Sequence, residues 1–186
     1  AVFQYATMSY NGEGIKTNKK EAFKYYKIAA DSGNVPAISK YAQMNYDGEG
    51  APVNKIEACN YYKIAADKGN LLSMVEYAKM KFYGDGVPKN KSTAKFYCKM
   101  AVNKGEKSAH KLYSEILCDN DASVNNIEEI RYIKLAVDEG NPAGFFKYAN
   151  ALYYNNQFDD SNKIEAFRYC KMAVDKGDVN AMNLYG

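Results

Sequence analysis

Apolar and polar residues recur along the chain with the period of an α-helix. The clearest stretch is Lys55–Lys68, where four apolar side chains share one helical face at i, i+3, i+4 and i+7 spacing: Ala58, Tyr61, Tyr62 and Ala65. Polar residues such as Asn60 and Lys63 fall on the opposite face. A similar pattern at Pro36–Tyr46 precedes it. The chain is therefore predicted to contain pairs of amphipathic helices.

The helix pair is repeated along the chain. The segment YYKIAADSGN at residues 25–34 returns as YYKIAADKGN at residues 61–70, and three related copies follow. One glycine closes each copy, at intervals of 36, 36, 35 and 37 residues: Gly33, Gly69, Gly105, Gly140 and Gly177. Such a period predicts stacked helix pairs that bury their apolar faces against one another. We assign repeats to residues 1–34, 35–70, 71–106, 107–141 and 142–178, with a partial repeat at 179–186, in a single array over residues 1–186.

Each predicted helix has a start signal and an end signal. Before most second helices, an asparagine that can accept a backbone hydrogen bond precedes a glutamate by three residues: Asn18, Asn54, Asn125 and Asn162, with Glu21, Glu57, Glu128 and Glu165. Asn90 fills the same position, with Thr93 in place of the glutamate. The closing glycine allows a left-handed residue, and the next residue can cap the following first helix: Asn34, Asn70, Asn141 and Asp178.

Three glycine pairs mark the ends of the first helices in repeats 1 to 3: Gly12 and Gly14, Gly48 and Gly50, Gly84 and Gly86. A phosphate-binding loop would need a preceding strand and a third glycine, and neither is present in the sequence pattern. We interpret the pairs as tight turns with positive φ. The corresponding connections at residues 118–125 and 153–162 lack the pair, and we expect them to be less ordered.

The repeated unit resembles the Sel-one-like repeat (SLR) family, a tetratricopeptide-like class of α/α solenoid. In repeat 2 the matching residues are Ala37, Ala42, Gly48, Gly50, Ala58, Tyr61, Lys63, Ala65, Ala66 and Gly69. The resemblance covers essentially the whole chain. It implies an all-α, right-handed superhelical solenoid of about five helix-turn-helix repeats that acts as a protein scaffold or adaptor. Repeat 4 departs from the pattern, because Glu129 stands where the other repeats have alanine.

Composition argues against two classes of partner. The formal net charge of the 186 residues is +3, which is too small to indicate nucleic-acid binding. No stretch approaches the roughly 20 apolar residues that a membrane helix needs. The four cysteines, Cys59, Cys98, Cys118 and Cys170, lack the spacing of zinc and redox sites. We therefore predict no nucleic-acid binding and no direct membrane insertion.

Catalytic and metal-binding residues are not predicted. His110 is the only histidine, which argues against a site built from several histidines and leaves few nucleophile–base pairs. Asp119, Asp121 and Ser123 imitate the start of a calcium loop, but Val124 stands in the glycine position and Ile130 in the bidentate glutamate position. The chain is predicted not to be an enzyme and to hold no cofactor or metal.

The candidate partner-binding surface is a row of varied residues on the first helices, which we call the first-helix stripe. It comprises Lys40, Gln43, Asp47, Glu76, Lys79, Tyr83, Leu112, Glu115, Asp119, Lys147, Asn150 and Tyr154, with Gln4, Thr7 and Asn11 at the same positions of repeat 1. Tyr83, Leu112 and Tyr154 are the predicted anchors, since desolvated aromatic and apolar side chains tend to dominate binding energy. A solvated helix face also shows varied polar residues, so both interpretations remain open here.

These observations predict a scaffold or adaptor that binds a protein or peptide through the concave surface of a solenoid. The alternative is a structural spacer or self-associating array without a peptide groove. The chain starts and ends within first helices, so we expect a fragment of a longer array whose apolar end, near Met182, could associate with another copy. A row of lysines on the second helices is interpreted as ion-paired, because an acid follows most of them four residues later: Lys27, Lys63, Lys99, Lys134 and Lys171.

Overall fold

The computed structural model describes residues 1–119, 126–154 and 160–185, without the side chains of residues 160 and 183–185. These residues form eleven helices and no strand: α1 Val2–Asn11, α2 Lys19–Asp31, α3 Val35–Asp47, α4 Lys55–Asp67, α5 Leu71–Tyr83, α6 Lys91–Asn103, α7 Ala109–Cys118, α8 Ile127–Asp138, α9 Pro142–Tyr154, α10 Asp160–Asp175 and α11 Val179–Tyr185. The prediction of an all-α repeat fold is confirmed.

The chain divides into two compact units, Ala1–Ala109 and His110–Gly186. In the first unit, α1 packs on α2, α3 on α4 and α5 on α6, and the second helix of each pair also packs on the first helix of the next. In the second unit, α9 packs on both α8 and α10, and α10 packs on α11. Helices α2 to α5 and helices α9 and α10 thus each contact both of their neighbours in sequence, as expected for stacked repeats.

Small residues and tyrosines build the core at repeating positions. Ala22, Ala58 and Ala94 stand at one position of successive second helices, and each has no exposed surface. Tyr41 and Tyr77, on the first helices, are also buried. The rings meet a tyrosine on the second helix of the same pair edge-on, as in the contact between Tyr77 and Tyr97 with centroids 4.8 Å apart. Alanine lets the helices approach closely, and tyrosine fills the remaining space.

Most of the predicted helix caps are confirmed. The side chains of Asn18, Asn54 and Asn90 accept hydrogen bonds from the backbone N–H three residues later. Asn34 and Asn70 cap the first helices α3 and α5 in the same way. These bonds satisfy N–H groups that have no partner within the helix. The starts of α2 to α6 are therefore fixed by local sequence.

Two predicted caps are wrong in position. Helix α8 is capped by Asn126, which accepts from the Glu128 N–H at 2.8 Å, while Asn125 lies outside the described residues. Two successive asparagines compete for the cap in this repeat, and the second is used. Helix α10 begins at Asp160, so Asn162 lies within its first turn. Ser161 lies with Asn162 in this first turn, where short polar residues are favourable.

The two glycines of the pairs in repeats 2 and 3 serve different purposes. Gly48 ends α3 in the left-handed conformation, with φ of 75°, and its N–H donates to the Met44 carbonyl oxygen. Gly50 has φ of 79°, and a Cβ built on it would overlap the Lys19 carbonyl oxygen at the start of α2. The predicted tight turns are confirmed. The second glycine also lets the turn press against the preceding repeat, which the sequence interpretation did not include.

Candidate protein-binding surface

A cavity of about 370 Å³ lies on the first helices of unit 1. It is lined by Phe3, Thr7, Tyr10, Asn11, Tyr26, Pro36, Ser39, Lys40, Gln43 and Asn70. Four of these residues belong to the first-helix stripe: Thr7 and Asn11 from α1, Lys40 and Gln43 from α3. The fold thus brings together stripe residues that are about 30 positions apart in sequence, and they form a concave patch.

The floor of this cavity is aromatic and held by defined contacts. The Tyr26 hydroxyl donates to Thr7 Oγ1 at 3.1 Å, and burial raises the pKa of Tyr26. The Tyr26 ring meets Phe3 and Tyr10 edge-on, with centroids 5.8 and 6.3 Å away. Next to them, Ser73 Oγ donates to Ser39 Oγ at 2.8 Å and links α5 to α3. A preorganised aromatic floor with polar edges is typical of binding sites.

Lys40 supplies the positive charge at the cavity. Its Nζ lies 3.9 Å from the centroid of the Tyr10 ring and donates to Gln43 Oε1 at 3.0 Å. Burial lowers the pKa of the Lys40 ammonium group. A partly desolvated cation over an aromatic face interacts strongly with acceptors that replace its lost water. The cavity can therefore bind a carboxylate or carbonyl oxygen beside an apolar group.

On α5 the stripe carries both charges, with Lys79 and Tyr83 exposed and Glu76 half-buried. Lys79 Nζ lies 3.7 Å from a Glu76 carboxylate oxygen. Tyr83 is 49% exposed and its ring stands 4.9 Å from that of Phe82. Asp47, at the end of α3, is exposed as well. Each predicted stripe residue of unit 1 is therefore at least partly accessible to a partner.

One predicted anchor in unit 2 is not accessible. Leu112 on α7 is buried, with 7% of its surface exposed. Lys40, Glu76 and Lys147 hold the same repeat position and are half-buried, so this position lies at the edge of the core. At this position the apolar Leu112 side chain is buried like that of Tyr113, whereas charged side chains keep their terminal groups in water. Leu112 therefore belongs to the core and not to the exposed stripe.

The other stripe residues of unit 2 reach the surface. Glu115, Lys147 and Asn150 are half-buried, and Asp119 and Tyr154 are exposed. Tyr154 lines a separate cavity of about 330 Å³ between α9 and α10. The described residues thus give unit 2 four polar residues and one tyrosine that are at least partly accessible.

Two acidic residues between the paired glycines connect successive repeats. Glu49 accepts hydrogen bonds from the Tyr10 hydroxyl and the Lys19 ammonium group of the preceding repeat. Asp85 accepts from Tyr46 and Lys55 in the same arrangement. We call each set of one tyrosine, one lysine and one acidic residue an inter-repeat triad. The hydrogen bonds lower the pKa of both carboxyls and raise the pKa of each tyrosine to about 12.

The sequence interpretation missed these triads, although the sequence contains a signal for them. The tyrosine precedes the acid by 39 residues and the lysine precedes it by 30 residues in both copies. Only a comparison across repeats, rather than within one, shows this spacing. The acid between the glycines is therefore a structural residue of the repeat interface.

The row of lysines is ion-paired where the structure gives contacts. Lys27, Lys63 and Lys134 each lie within 3.3 Å of the aspartate four residues later. Lys27 also donates to the Tyr61 hydroxyl of the next repeat, and Lys134 to the Tyr169 hydroxyl, both at 3.3 Å. Lys27 and Lys134 thus link successive second helices, and all three lysines are ion-paired rather than arranged as a free basic strip.

Repeat 4 accommodates its buried glutamate with a hydrogen bond. Glu129 is 9% exposed and accepts from the buried Tyr113 hydroxyl at 3.0 Å. The His110 ring packs edge-on against Tyr132 at 5.5 Å. Within the described ranges, no cluster of His, Cys, Asp and Glu side chains is arranged to hold a metal ion. The helices described here are all too short or too polar to cross a membrane.

The sequence matches the family model of the Sel1 repeat at residues 1–34, 35–70, 71–106 and 146–178. The chain belongs to the Sel1 repeat family. Members of this family are generally non-enzymatic scaffolds for protein–protein interaction. The matched segments of this Sel1 repeat chain leave out residues 107–145, where Glu129 replaces the usual alanine. No curated protein matches the sequence.

A solved structure shares the fold of this Sel1 repeat chain. A Sel1 repeat protein from Oxalobacter formigenes aligns with a TM-score of 0.66 at 19% identity, covering 99% of this chain and 73% of that one. A second, described as c5321, a protective antigen present in uropathogenic Escherichia coli strains displaying an SLR fold, aligns with a TM-score of 0.46 at 17% identity. That alignment covers 99% of this chain and 47% of the antigen.

Proposed function

We propose that this Sel1 repeat chain is a non-enzymatic adaptor that binds a partner protein through the exposed first-helix stripe. The observation that carries the proposal is the cavity on α1 and α3, which gathers Thr7, Asn11, Lys40 and Gln43 over an aromatic floor. A concave patch with an aromatic centre and a polar edge has the composition of protein interfaces.

The assignment of all residues to a single array stays a prediction.

The stripe fits a partner segment that carries both apolar and acidic groups. Lys40 offers a partly desolvated cation, and the Phe3 and Tyr10 rings offer an apolar surface beside it. Farther along, Lys79 is half-exposed and Tyr83 presents an accessible ring. An aromatic or aliphatic anchor would fill the cavity, and an acidic neighbour would pair with Lys40.

The proposal is tested by affinity capture from lysate of the source organism, followed by mass spectrometry. The stripe variant carries Gln43→Ala, Lys79→Glu and Tyr83→Ala. The matched control changes an amide, a lysine and an aromatic residue that are exposed on second helices: Asn60→Ala, Lys24→Glu and Phe96→Ala. Circular dichroism first establishes that all three proteins have equal helix content.

A partner captured by the wild type and the control, but lost by the stripe variant, is the expected result. If both variants retain the partner equally, the stripe is not the binding surface. If the wild type captures no partner, the alternative of a structural spacer is favoured. Light scattering over a range of concentrations then separates a monomeric spacer from a self-associating array.

A further inference from the structure

An acidic counterpart of the cavity on α1 and α3 lies one repeat farther along unit 1. Equivalent residues of successive helix pairs are 36 positions apart in this part of the chain. At this spacing Glu76 stands in the place of Lys40, and Asp47 in the place of Asn11. With two tyrosines beside them, the acids form a set that we call the α3–α5 cluster: Tyr46, Asp47, Tyr62 and Glu76. The charge of the first-helix stripe therefore changes sign from one repeat to the next.

The Tyr62 hydroxyl is the unused hydrogen-bonding group of this cluster. The equivalent residue of the preceding repeat, Tyr26, donates to Thr7 Oγ1 at 3.1 Å. Only 5% of Tyr62 is exposed, yet within the described residues its hydroxyl makes no hydrogen bond. Ser9 Oγ is the one fully enclosed side-chain polar atom without a partner in the described part of the chain, so the Tyr62 hydroxyl reaches solvent. A buried ring that brings an unpaired hydroxyl to the surface calls for a ligand to satisfy it.

Two carboxylates lie near this hydroxyl. Burial raises the pKa of Tyr62, and the negative charges of Glu76 and Asp47 raise it further. Asp47 is exposed and forms no ion pair among the described residues. Glu76 forms only a loose one, with Lys79 Nζ at 3.7 Å, and exposed pairs of this kind contribute little. The cluster therefore places more negative than positive charge around an unpaired hydroxyl.

The preceding repeat shows where an ammonium group fits. Lys40 Nζ lies 3.9 Å from the centroid of the Tyr10 ring. Tyr46 stands in the place of Tyr10, but Glu76 replaces the lysine that would lie over its ring. Lys55 also lies near Tyr46, but its Nζ is 5.2 Å from the centroid. The ammonium position close to the ring is thus occupied by Lys40 in one repeat and bordered by a carboxylate in the next.

We propose that the α3–α5 cluster receives a lysine or arginine side chain of the same partner segment whose acidic residue pairs with Lys40. The cation would donate hydrogen bonds to Asp47, to Glu76 and to the Tyr62 hydroxyl oxygen. This inference rests on the function proposed for the first-helix stripe and adds a second subsite of opposite charge. The two subsites are adjacent, because the charge of Asp47 also acts on the Lys40 ammonium group.

The distance between the subsites sets the spacing of charges in the partner. Ser73 on α5 donates to Ser39 on α3 at 2.8 Å, so these two helices are in direct contact. Helices in contact have axes about 8–10 Å apart. An extended chain advances about 3.3 Å per residue. The basic residue of the partner should therefore lie about three positions from its acidic residue, in an extended segment that crosses α3 and α5.

The test uses the intact chain, immobilised, and a displayed library of random eight-residue peptides. We expect the recovered peptides to carry an acidic and a basic residue about three positions apart. One recovered peptide is then synthesised with blocked ends, and its dissociation constant is measured by isothermal titration calorimetry. Norleucine in place of its basic residue should weaken binding about tenfold.

Variants of the chain localise the effect. Glu76→Gln and Asp47→Asn should each weaken binding about tenfold. Glu139→Gln, the same change at an exposed residue just after α8, is the matched control and should leave binding unchanged. Tyr62→Phe should weaken binding about threefold without lowering the melting temperature, because its hydroxyl has no partner in the described part of the chain. Tyr26→Phe should lower the melting temperature, because that hydroxyl is hydrogen-bonded.

Exchanging the charges is the strictest arm of the experiment. Glu76→Lys should abolish binding of the original peptide and restore it for a peptide with glutamate in place of the basic residue. If binding depends on Lys40, as Lys40→Gln shows, but not on Asp47 or Glu76, the inference is wrong and the proposed function stands. If no peptide is recovered, or binding depends on none of these residues, both are wrong. Self-association that Glu76→Gln abolishes, measured by sedimentation, would make a second copy the occupant and also overturn the inference.

Discussion

At the scale of single residues, the inter-repeat triads give the clearest prediction about stability. Tyr10→Phe keeps the ring but removes the hydroxyl that donates to Glu49. We expect it to lower the free energy of unfolding by about 1 kcal/mol, because hydrogen bonds to charged groups are strong but this one is partly solvated. Urea denaturation followed by circular dichroism measures the change. Tyr154→Phe, at a residue 59% exposed, is the control and should stay within about 0.5 kcal/mol.

The same triad predicts how stability depends on pH. Hydrogen bonds from Lys19 and Tyr10 hold the pKa of the Glu49 carboxyl below its usual value of about 4.3. The folded state therefore binds fewer protons than the unfolded state in this range. The contribution of Glu49 to stability is present above about pH 4.3 and is lost as the pH falls through the lower folded pKa.

Glu49→Gln removes this titration. Between pH 6 and pH 3 the variant should lose about 0.5 kcal/mol less stability than the wild type, a small value because the Lys19 partner is about half exposed and solvent screens the pair. Denaturation at the two pH values provides the comparison. Equal losses in both proteins would show that the triad does not hold the carboxylate in solution.

At the scale of elements, the paired glycines allow a matched test of the close approach between repeats. Gly14 and Gly50 both have positive φ, 72° and 79°. A Cβ on Gly14 would meet only the Met8 Cε, at 3.9 Å, whereas a Cβ on Gly50 would overlap the Lys19 backbone. Gly14→Ala should therefore cost about 1 kcal/mol from backbone strain alone. Gly50→Ala should cost about 1–3 kcal/mol more from the clash, and similar denaturation midpoints for the two would refute this packing.

The small residues of the core predict a second effect at this scale. Ala65 on α4 has no exposed surface. Enlarging it to leucine should lower the free energy of unfolding by about 1–3 kcal/mol, since the neighbouring helices leave no room for the added carbons. Ala143→Leu, at an exposed position in α9, should change it by less than about 0.5 kcal/mol. Thermal unfolding of both variants tests this prediction. An unaltered melting temperature for Ala65→Leu would contradict the burial of Ala65.

The helices were predictable to the extent that their signals are local. A cap such as Asn54 acts on a backbone N–H three residues away, so the sequence alone identifies it. The cap of α8 was misplaced by one residue because two asparagines offer equivalent acceptors. Leu112 was misassigned because helical spacing alone does not say how far the neighbouring helices reach around α7. The triads escaped prediction because their members are 30 and 39 residues apart.

At the scale of the whole molecule, the repeat period predicted the fold because successive helix pairs pack in the same way, which unit 1 shows directly. In unit 1 the α2–α3 and α4–α5 contacts use the same positions, including the Lys19–Glu49 and Lys55–Asp85 pairs. Stability in such an array is approximately the sum of each repeat and its contacts with neighbours. The binding surface is less predictable, since accessibility along the stripe depends on the residue that each repeat places there.

This additivity predicts how truncated chains unfold. A fragment of residues 1–109 contains three helix pairs and two interfaces between them, whereas residues 1–70 contain two pairs and one interface. An isolated helix pair cannot bury its apolar face. Each interface between pairs therefore contributes more to stability than the number of residues in it would suggest. The longer fragment should therefore have a clearly higher urea midpoint and a larger dependence on urea concentration, since it exposes more surface on unfolding. Asp85→Asn should lower the urea midpoint of the fragment of residues 1–109. The fragment of residues 1–70, which lacks Asp85, is the reference. Equal midpoints for the two fragments would mean that the pairs are stable individually, and the triads would then join repeats that do not depend on one another.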